Sequence, residues 1–283
     1  PGNQRCLSHM RGRRPRVGCR FRGGLANQMF TVATTLAYGW RHNLDITISA
    51  RQLTSAANTQ FAGRNSVMPL FREIPRSWKR TAINASTRRD RFELHEFAPI
   101  GPPQDENDIV LDGLFGHCGY FDDARNQLLQ VFRPQHRTAA ALDARFASLF
   151  DGETVSVSIR RGDYLRQRTL RRYDLELDYY QRALDLLPPA ANVLVFSDDI
   201  DWCKDNLYFD RPTDYVVGGS ALADMYLISR CTHHVICNST FAWWGAWLDD
   251  KSEGLTVQPA QWFTSQFIDK LGRDPIAHDP DGW

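Results

Sequence analysis

The fold is indicated most clearly by one stretch in the middle of the chain, Thr154-Val155-Ser156-Val157-Ser158-Ile159-Arg160-Arg161-Gly162-Asp163-Tyr164. Apolar residues alternate with serines over its first part, which is typical of a β-strand. Two arginines and a glycine follow at the point where that strand should end. The stretch therefore predicts a strand that delivers polar side chains to one edge of a sheet.

The alternation of strands and helices continues through the second half of the chain. Further strand-like runs are expected at residues 193–196, 215–217, 233–237 and 255–257. Helix-like runs lie between them, at residues 178–187, 200–207, 221–231 and 240–249. Because strands that alternate with helices form parallel sheets covered on both faces, we expect a Rossmann-like domain here.

The first half shows a weaker version of the same pattern. Strands are predicted at residues 17–21, 45–48 and 109–111, and helices at 27–42, 122–132 and 136–150. Residues 51–108 hold several prolines and little periodicity, which indicates loops with short helices. The sequence thus predicts an α/β fold of two Rossmann-like domains with a cleft between them. Their expected bounds are 17–150 and 151–283, after a disordered lead-in over residues 1–16.

Composition excludes several classes of function. The chain has 283 residues, 42% of them hydrophobic, and a net charge of +1, which gives no bulk attraction to nucleic acid or to an anionic membrane. No apolar run reaches the roughly 18 residues of a membrane-spanning helix, and the start of the chain does not resemble a signal peptide. We expect a cytoplasmic protein, at most peripheral to the inner membrane, from a bacterial source.

The six cysteines give no sign of a metal site. They form no CxxC pair, and no cysteine–histidine spacing suits zinc. Cys19 and Cys237 lie in strand-like runs and are expected to be buried. A reducing compartment fits this pattern.

Arg160 and Arg161 are the first candidate site residues. Open parallel sheets bind ligands outside the carboxyl ends of their strands, and the planar guanidinium group suits bidentate contact with phosphate. Asp163 could hold one guanidinium in place, and Gly162 would permit the turn. The alternative is an ordinary surface turn with a salt bridge.

A second strand–loop–helix unit surrounds Asn238. Ser239 or Thr240 would begin a helix, where free N–H groups and the helix dipole favour an anion. Simple N-capping by Asn238 or Ser239 is the alternative. The helix is apolar nearly all round, so Trp244 and Trp247 are expected in the core.

Three carboxylates follow the strand at residues 193–196, and three interpretations remain open. Asp199 and Asp201 have the Asp-x-Asp form of a divalent-metal site. The carboxylates could instead cap the next helix. Asp198, the nearest to the strand end, could accept the N–H donors of a guanine edge.

The turn at Gly23-Gly24 joins the first strand to the first helix. Glycine permits positive φ and close approach of a ligand. Asn27 and Gln28 could reach across the cleft towards a sugar or a phosphate. Capping by Asn27 is the alternative, and the turn matches neither a GxGxxG motif nor a P-loop.

Four segments, in this order, resemble the α-1,2-fucosyltransferases of glycosyltransferase family 11. They are residues 23–30 (Gly-Gly-Leu-Ala-Asn-Gln-Met-Phe), 159–164 (Ile-Arg-Arg-Gly-Asp-Tyr), 196–199 (Phe-Ser-Asp-Asp) and 238–247 (Asn-Ser-Thr-Phe-Ala-Trp-Trp-Gly-Ala-Trp). The resemblance implies a GT-B-like fold and inverting transfer of fucose from GDP-fucose to the 2-hydroxyl of a terminal β-galactoside. It also implies no metal and no cofactor, since GDP-fucose is a substrate.

The resemblance also assigns roles to residues. Arg160 and Arg161 match the arginine pair of the family's His-x-Arg-Arg-x-Asp motif and are expected on the diphosphate, with Asp163 completing the catalytic set. The donor site is expected to comprise Gly24, Asn27, Gln28, Ser158, Arg160, Arg161, Asp198, Asp199, Ser239, Thr240 and Phe241. The chain departs from the family at Ser158, where histidine is usual, and at Ala26, where glycine is usual.

Other functions remain compatible with these residues. The chain could be a protein O-fucosyltransferase or another GDP-sugar transferase of the same architecture. It could also be a GDP- or glycan-binding homologue without turnover, which the replacement at Ser158 would fit. Asp163 and Glu96 are candidates for a general base.

Overall fold

The structure is a computed structural model, and it describes residues 14–21, 23–48, 88–92, 97–103, 107–167, 175–217, 219–251 and 253–271. Two parallel sheets, each with helices between its strands, make up these residues. The predicted α/β class is therefore confirmed. Within the same ranges, no helix combines the length and the apolarity that crossing a bilayer requires.

The first sheet has four strands in the order β2-β1-β4-β3. Its elements are β1 (Arg16–Arg20), α1 (Leu25–Arg41), β2 (Asp45–Ile46), β3 (Arg88–Phe92) and β4 (Ile109–Gly113). β3 lies in the region where loops and short helices were expected, so that expectation is wrong for these five residues. The sequence Arg-Arg-Asp-Arg-Phe has no apolar alternation, and this segment is a strand because it pairs in parallel with β4.

Two helices connect the sheets. They are α2 (Arg125–Phe132) and α3 (His136–Arg145), and a short 3₁₀ turn precedes α2. Both lie within the predicted helical runs. The predicted run 136–150 is interrupted at Phe146, after which the chain forms another 3₁₀ turn.

The second sheet has five parallel strands in the order β7-β6-β5-β8-β9. Its strands are β5 (Thr154–Ile159), β6 (Asn192–Ser197), β7 (Thr213–Tyr215), β8 (His233–Val235) and β9 (Thr256–Val257). Its helices are α4 (Gly162–Gln167), α5 (Leu177–Asp185), α6 (Ile200–Asn206), α7 (Ala221–Arg230), α8 (Thr240–Trp247) and α9 (Ser265–Leu271). The predicted elements are confirmed with small shifts of their ends, and the sequence did not predict α4 or α9.

Helix α8 follows β8 in the chain but packs into the core of the first half. Trp243, Trp244 and Trp247 are each at most 1% exposed. The Trp244 ring stacks on Phe121, with centroids 5.5 Å apart and planes 15° apart, and lies 5.0 Å from the Phe30 ring. The expectation that Trp244 and Trp247 belong to the core is confirmed, and these aromatic contacts bind the two halves together.

The carboxyl end of α8 is held by an arginine of the first half. Arg125, at the start of α2, donates from Nη2 to the carbonyls of Trp247 at 2.9 Å and Asp249 at 2.7 Å. Its guanidinium carbon lies 5.1 Å from the Trp247 ring centroid. The last carbonyls of a helix have no partners within the helix, so this arginine supplies one from the other half.

A chain of polar contacts links β5 to β8 and to the residues that follow α8. The Ser156 hydroxyl lies 2.8 Å from His234 Nδ1, and His234 Nε2 lies 3.1 Å from Asp249 Oδ2. Lys251 donates from Nζ to Asp249 Oδ1 at 2.6 Å. Burial lowers the pKa of the His234 imidazole, and this effect outweighs the Asp249 carboxylate, which raises it. His234 is therefore neutral in the folded protein at neutral pH.

Replacing Trp244 by alanine should destabilise the protein by about 3–5 kcal/mol, the usual cost of deleting a fully buried tryptophan. Urea unfolding followed by circular dichroism measures this. Tyr208→Ala is the matched control, because Tyr208 is 82% exposed and its loss should change stability by less than about 0.5 kcal/mol. Equal effects of the two substitutions would contradict the packing of α8.

The buried His234 should make stability depend on pH. Its folded pKa lies below the ordinary value of 6.5, so the unfolded chain binds the proton first as pH falls. Stability should decline as pH drops through 6.5, by up to about 1.4 kcal/mol per pH unit.

Urea titrations between about pH 7.5 and pH 5 measure this slope. His234→Gln should have a smaller slope whatever its stability at neutral pH. The remaining slope belongs to other groups, among them His233, whose pKa burial also lowers. An unchanged slope in the variant would contradict the prediction.

Candidate functional site

The candidate site lies at the carboxyl edge of the second sheet. β5 is hydrogen-bonded in parallel to β6 on one side and to β8 on the other. Residues that follow these three strands therefore leave the sheet at the same edge. Arg160, Asp198 and Asn238 occupy these positions, so the structure brings together three of the segments that the sequence singled out.

Two carboxylates from the end of β6 hold the two arginines. Arg160 Nη1 lies 3.1 Å from Asp198 Oδ2, and the Arg161 backbone N–H donates to Asp198 Oδ1 at 2.9 Å. Arg161 Nε donates to Asp199 Oδ2 at 3.2 Å. Asp163 was the residue predicted to orient an arginine, but its side chain lies outside those that the structure describes.

The same contacts bear on the metal interpretation of Asp199 and Asp201. Asp199 faces Arg161, whereas Asp201 is exposed and lies 3.6 Å from Lys204 Nζ. Among the residues that the structure describes, no cluster of three acidic, histidine or cysteine side chains could hold a metal ion.

Gly162 allows Asp198 to approach the backbone closely. A β-carbon at this position would lie 2.4 Å from Asp198 Oδ2, well inside van der Waals contact. A side chain at residue 162 would therefore require the Asp198 carboxylate, which contacts both arginines, to shift. The sequence predicted that Gly162 permits the turn. In the structure, Gly162 leaves room for the Asp198 carboxylate.

Each arginine also faces an aromatic ring that sequence analysis had not assigned to the site. The guanidinium carbon of Arg161 lies 3.3 Å from the Trp202 ring centroid, and that of Arg160 lies 5.6 Å from the Tyr164 ring. Tyr164 donates from its hydroxyl to the Asn238 carbonyl at 3.1 Å. Tyr164 follows the arginines closely in the sequence, and Trp202 follows the aspartates. Which ring meets which arginine depends, however, on how α4 and α6 pack.

The start of α8 meets the start of α1 across the two halves. Ser239 is the N-cap of α8, and its hydroxyl accepts from the Phe241 N–H at 3.3 Å. The Thr240 hydroxyl donates to Asn27 Oδ1 at 2.9 Å. Of the two capping alternatives Ser239 is the one observed, and Phe241 is half-buried beside it. Helix starts from both halves thus converge at this point.

The turn before α1 is built around Gly23. Its φ is +71°, and a β-carbon there would lie 2.6 Å from Asn27 Nδ2. Gln28 is 3% exposed and donates from Nε2 to the Gly23 carbonyl at 2.9 Å. Gly24 is the N-cap of α1 but has no side chain to cap with. Gln28 therefore shapes the turn, while Asn27 reaches the other half.

Ser158 lies within strand β5 and not in the loop that follows the strand at the carboxyl edge of the sheet. It is 4% exposed, and its hydroxyl has no hydrogen-bond partner among the residues that the structure describes. It pairs in register with Phe196 on β6. Ser158 is thus buried two residues before the arginine pair.

Comparison with known proteins assigns the chain to a family. The model of glycosyl transferase family 11 matches residues 112–276, more than half of the chain and all of the second sheet. The chain belongs to glycosyltransferase family 11. It is accordingly a glycosyltransferase, and the match includes the arginine pair, both aspartates and α8.

Curated relatives in family 11 include bacterial and animal enzymes. An α-1,2-colitosyltransferase of Escherichia coli is 29% identical over 94% of this chain and 97% of the relative. The O-antigen biosynthesis glycosyltransferase WbnK, also of E. coli, is 35% identical over 44% of each chain. Galactoside α-(1,2)-fucosyltransferase 1 of Gorilla gorilla gorilla is 26% identical over 59% of this chain and 50% of the relative.

Solved structures support the fold of this family 11 member. Fucosyltransferase NodZ from Bradyrhizobium superposes with a TM-score of 0.50 at 17% identity, covering 83% of this chain and 92% of NodZ. POFUT1 in complex with GDP gives a TM-score of 0.50 at 12% identity, covering 88% of this chain and 99% of POFUT1. These proteins have the GT-B fold, so the predicted GT-B-like architecture of two Rossmann-like units is confirmed.

Replacing Gly162 by alanine should displace Asp198 from the two arginines. If this is the active site, glycosyl transfer should fall by about 10- to 100-fold, since a misplacement of about an ångström has effects of that size. The fold should survive, since alanine favours the helix that begins there. Gly101→Ala is the control, because a β-carbon at Gly101 meets nothing within 4 Å. Wild-type turnover in the Gly162 variant would show that Asp198 does not need this space.

Proposed function

We propose that the chain transfers fucose from GDP-fucose to the 2-hydroxyl of a terminal β-galactoside, with inversion at the anomeric carbon and without a metal. One observation carries this proposal. Arg160 and Arg161 stand at the carboxyl end of a central parallel strand, and Asp198 and Asp199 hold them there. Membership of family 11 and the names of the relatives support the sugar and the linkage.

The arginine pair suits the leaving group of this reaction. As the acceptor oxygen attacks the anomeric carbon, the bond to the diphosphate breaks and negative charge develops on the phosphate oxygens. Guanidinium groups already held in position stabilise that charge without having to reorganise. The start of α8 adds N–H groups at the same edge, which favour an anion as well. The acceptor is taken to attack from the face opposite GDP, which inverts the anomeric centre.

Positive charge at this edge comes from side chains. The two arginines carry roughly the charge needed to offset a diphosphate, a task that a divalent ion performs in other sugar-nucleotide enzymes. Asp199, which would have to be a metal ligand in the Asp-x-Asp interpretation, is already paired with Arg161. These contacts support transfer without a metal.

The acceptor is proposed to enter from the side of the first half. Thr240 and Asn27 join the starts of α8 and α1, so the edge of the first sheet lies next to the proposed donor site. Relatives named as galactoside α-(1,2)-fucosyltransferases support a galactoside as the acceptor. Phe115, Tyr120 and Phe121 of the first half are at most 8% exposed, so these rings pack in the core and do not form a stacking surface for the sugar.

A second donor is favoured by a specific observation. A relative that matches 94% of this chain is named as an α-1,2-colitosyltransferase. Colitose is fucose without its 3-hydroxyl, so one site could accept either sugar unless a side chain contacts that hydroxyl. Parallel assays with GDP-fucose and GDP-colitose decide which is preferred.

Replacing Arg160 or Arg161 by alanine should each remove at least about 2 kcal/mol of transition-state stabilisation, a loss of roughly 30-fold in kcat/KM. Release of GDP from GDP-fucose with lactose as acceptor measures this. Arg182→Ala is the control, since Arg182 is 70% exposed and pairs with Asp178 on the surface. Near-normal turnover in both site variants would rule out the assignment.

The same assay tests the remaining parts of the proposal. Excess EDTA should leave the rate unchanged, and a requirement for Mg²⁺ or Mn²⁺ would contradict a mechanism without metal. Proton NMR of the product should show an α-linked fucose on the galactose 2-oxygen. GDP release without a fucosylated product would point to donor hydrolysis or to a different acceptor.

A further inference from the structure

Trp202 lies against the guanidinium of Arg161. Its ring belongs to α6, and the ring centroid is 3.3 Å from the guanidinium carbon. A cation at this distance from an indole face is attracted by the ring, and the planar guanidinium can stack on it. The Arg161 side chain is only 18% exposed, so the contact is shielded from solvent.

The ring and Asp199 together fix the direction of the guanidinium fork. Asp199 accepts from Nε alone, at 3.2 Å. In the part of the chain that the structure describes, the two Nη groups of Arg161 have no hydrogen-bond partner. The Trp202 ring lies 3.3 Å from the guanidinium carbon and Nε is bonded to Asp199, so the Nη edge is the part left to contact a ligand. Without the ring, the fork could rotate and pair with Asp199 through two nitrogens.

Arg160 is more exposed than Arg161 and lies farther from an aromatic ring. Its side chain is 37% exposed, and its guanidinium carbon is 5.6 Å from the Tyr164 ring, too far for close stacking. Its contact with Asp198 is through Nη1, one of the groups that would contact phosphate. Of the two arginines, Arg161 therefore has the closer contact with an aromatic ring and the more buried side chain.

We propose that Trp202 is a positioning residue for catalysis, which holds the Arg161 guanidinium with its Nη edge towards the diphosphate of the donor. This inference rests on the proposed function. Trp202 acts through Arg161 and stabilises the developing charge only by keeping that group in place. The role requires a flat aromatic surface at residue 202 and a guanidinium at residue 161.

The test uses the full chain, with GDP-fucose as donor and lactose as acceptor. Trp202→Leu should lower kcat by about 5- to 30-fold, the range that a partly desolvated cation–π contact supports. The KM for GDP-fucose should change much less, because the charge on the leaving group develops in the transition state. Trp202→Phe, which keeps a flat ring, should restore kcat to within about 3-fold of wild type.

A double-mutant cycle separates this role from a purely structural one. In an Arg161→Lys background, Trp202→Leu should lower kcat by less than about 2-fold, because an ammonium group has no plane to stack. Trp40→Leu is the matched control, since Trp40 is also half-buried and lies at the far end of α1. Thermal unfolding of each variant shows whether it folds, and Trp202→Met replaces Trp202→Leu if the latter does not.

Three outcomes would overturn the proposal: an unchanged kcat in Trp202→Leu, an equal loss in the Arg161→Lys background, or no recovery in Trp202→Phe. Failure of the proposed function has a different signature. In that case Arg161→Ala itself would retain normal turnover, or no donor sugar would be transferred by the wild-type chain.

Discussion

The structure depends on the burial of α8 against aromatic rings of the other half. The helix follows β8 in the chain, yet Trp243, Trp244 and Trp247 pack with Phe30 and Phe121 of the first half. Burying three tryptophans is among the largest apolar contributions that a helix of this length can make. Because its C-terminal end is fixed by this packing and by Arg125, its start is fixed too, where Thr240 donates to Asn27 at the start of α1.

The local sequence pattern was sufficient to predict most of the strands and helices. Alternating apolar residues identified β5, and the run of tryptophans identified α8 as buried, because both signals lie within a few neighbouring residues. β3 could not be predicted in this way. Its sequence has the composition of an exposed turn, and it becomes a strand through pairing with β4, which is remote in the chain. Propensity is a weak guide wherever such long-range pairing decides the structure.

In the candidate site, too, local sequence predicted some features and long-range packing determined the others. The arginines and the aspartates could be named from the sequence because each group follows a strand and sits at a turn. The partner of each arginine could not be named, since it depends on the order β6-β5-β8. The sequence suggested Asp163 as the orienting carboxylate, whereas the contacts that the structure describes come from Asp198 and Asp199. Trp202 was visible three residues after Asp199, but nothing in its spacing indicated that its ring would meet Arg161.

The position of α8 also affects how such enzymes can diversify. Helix α8 is encoded with the strands of the second half but packs among rings of the first half, so the two halves share one core. A change of shape at Trp244 must be matched at Phe30 or Phe121, which are encoded far away. Exchanging halves between relatives would therefore succeed only where this aromatic set is inherited together, and new acceptor preferences should arise more readily through surface loops than through recombination.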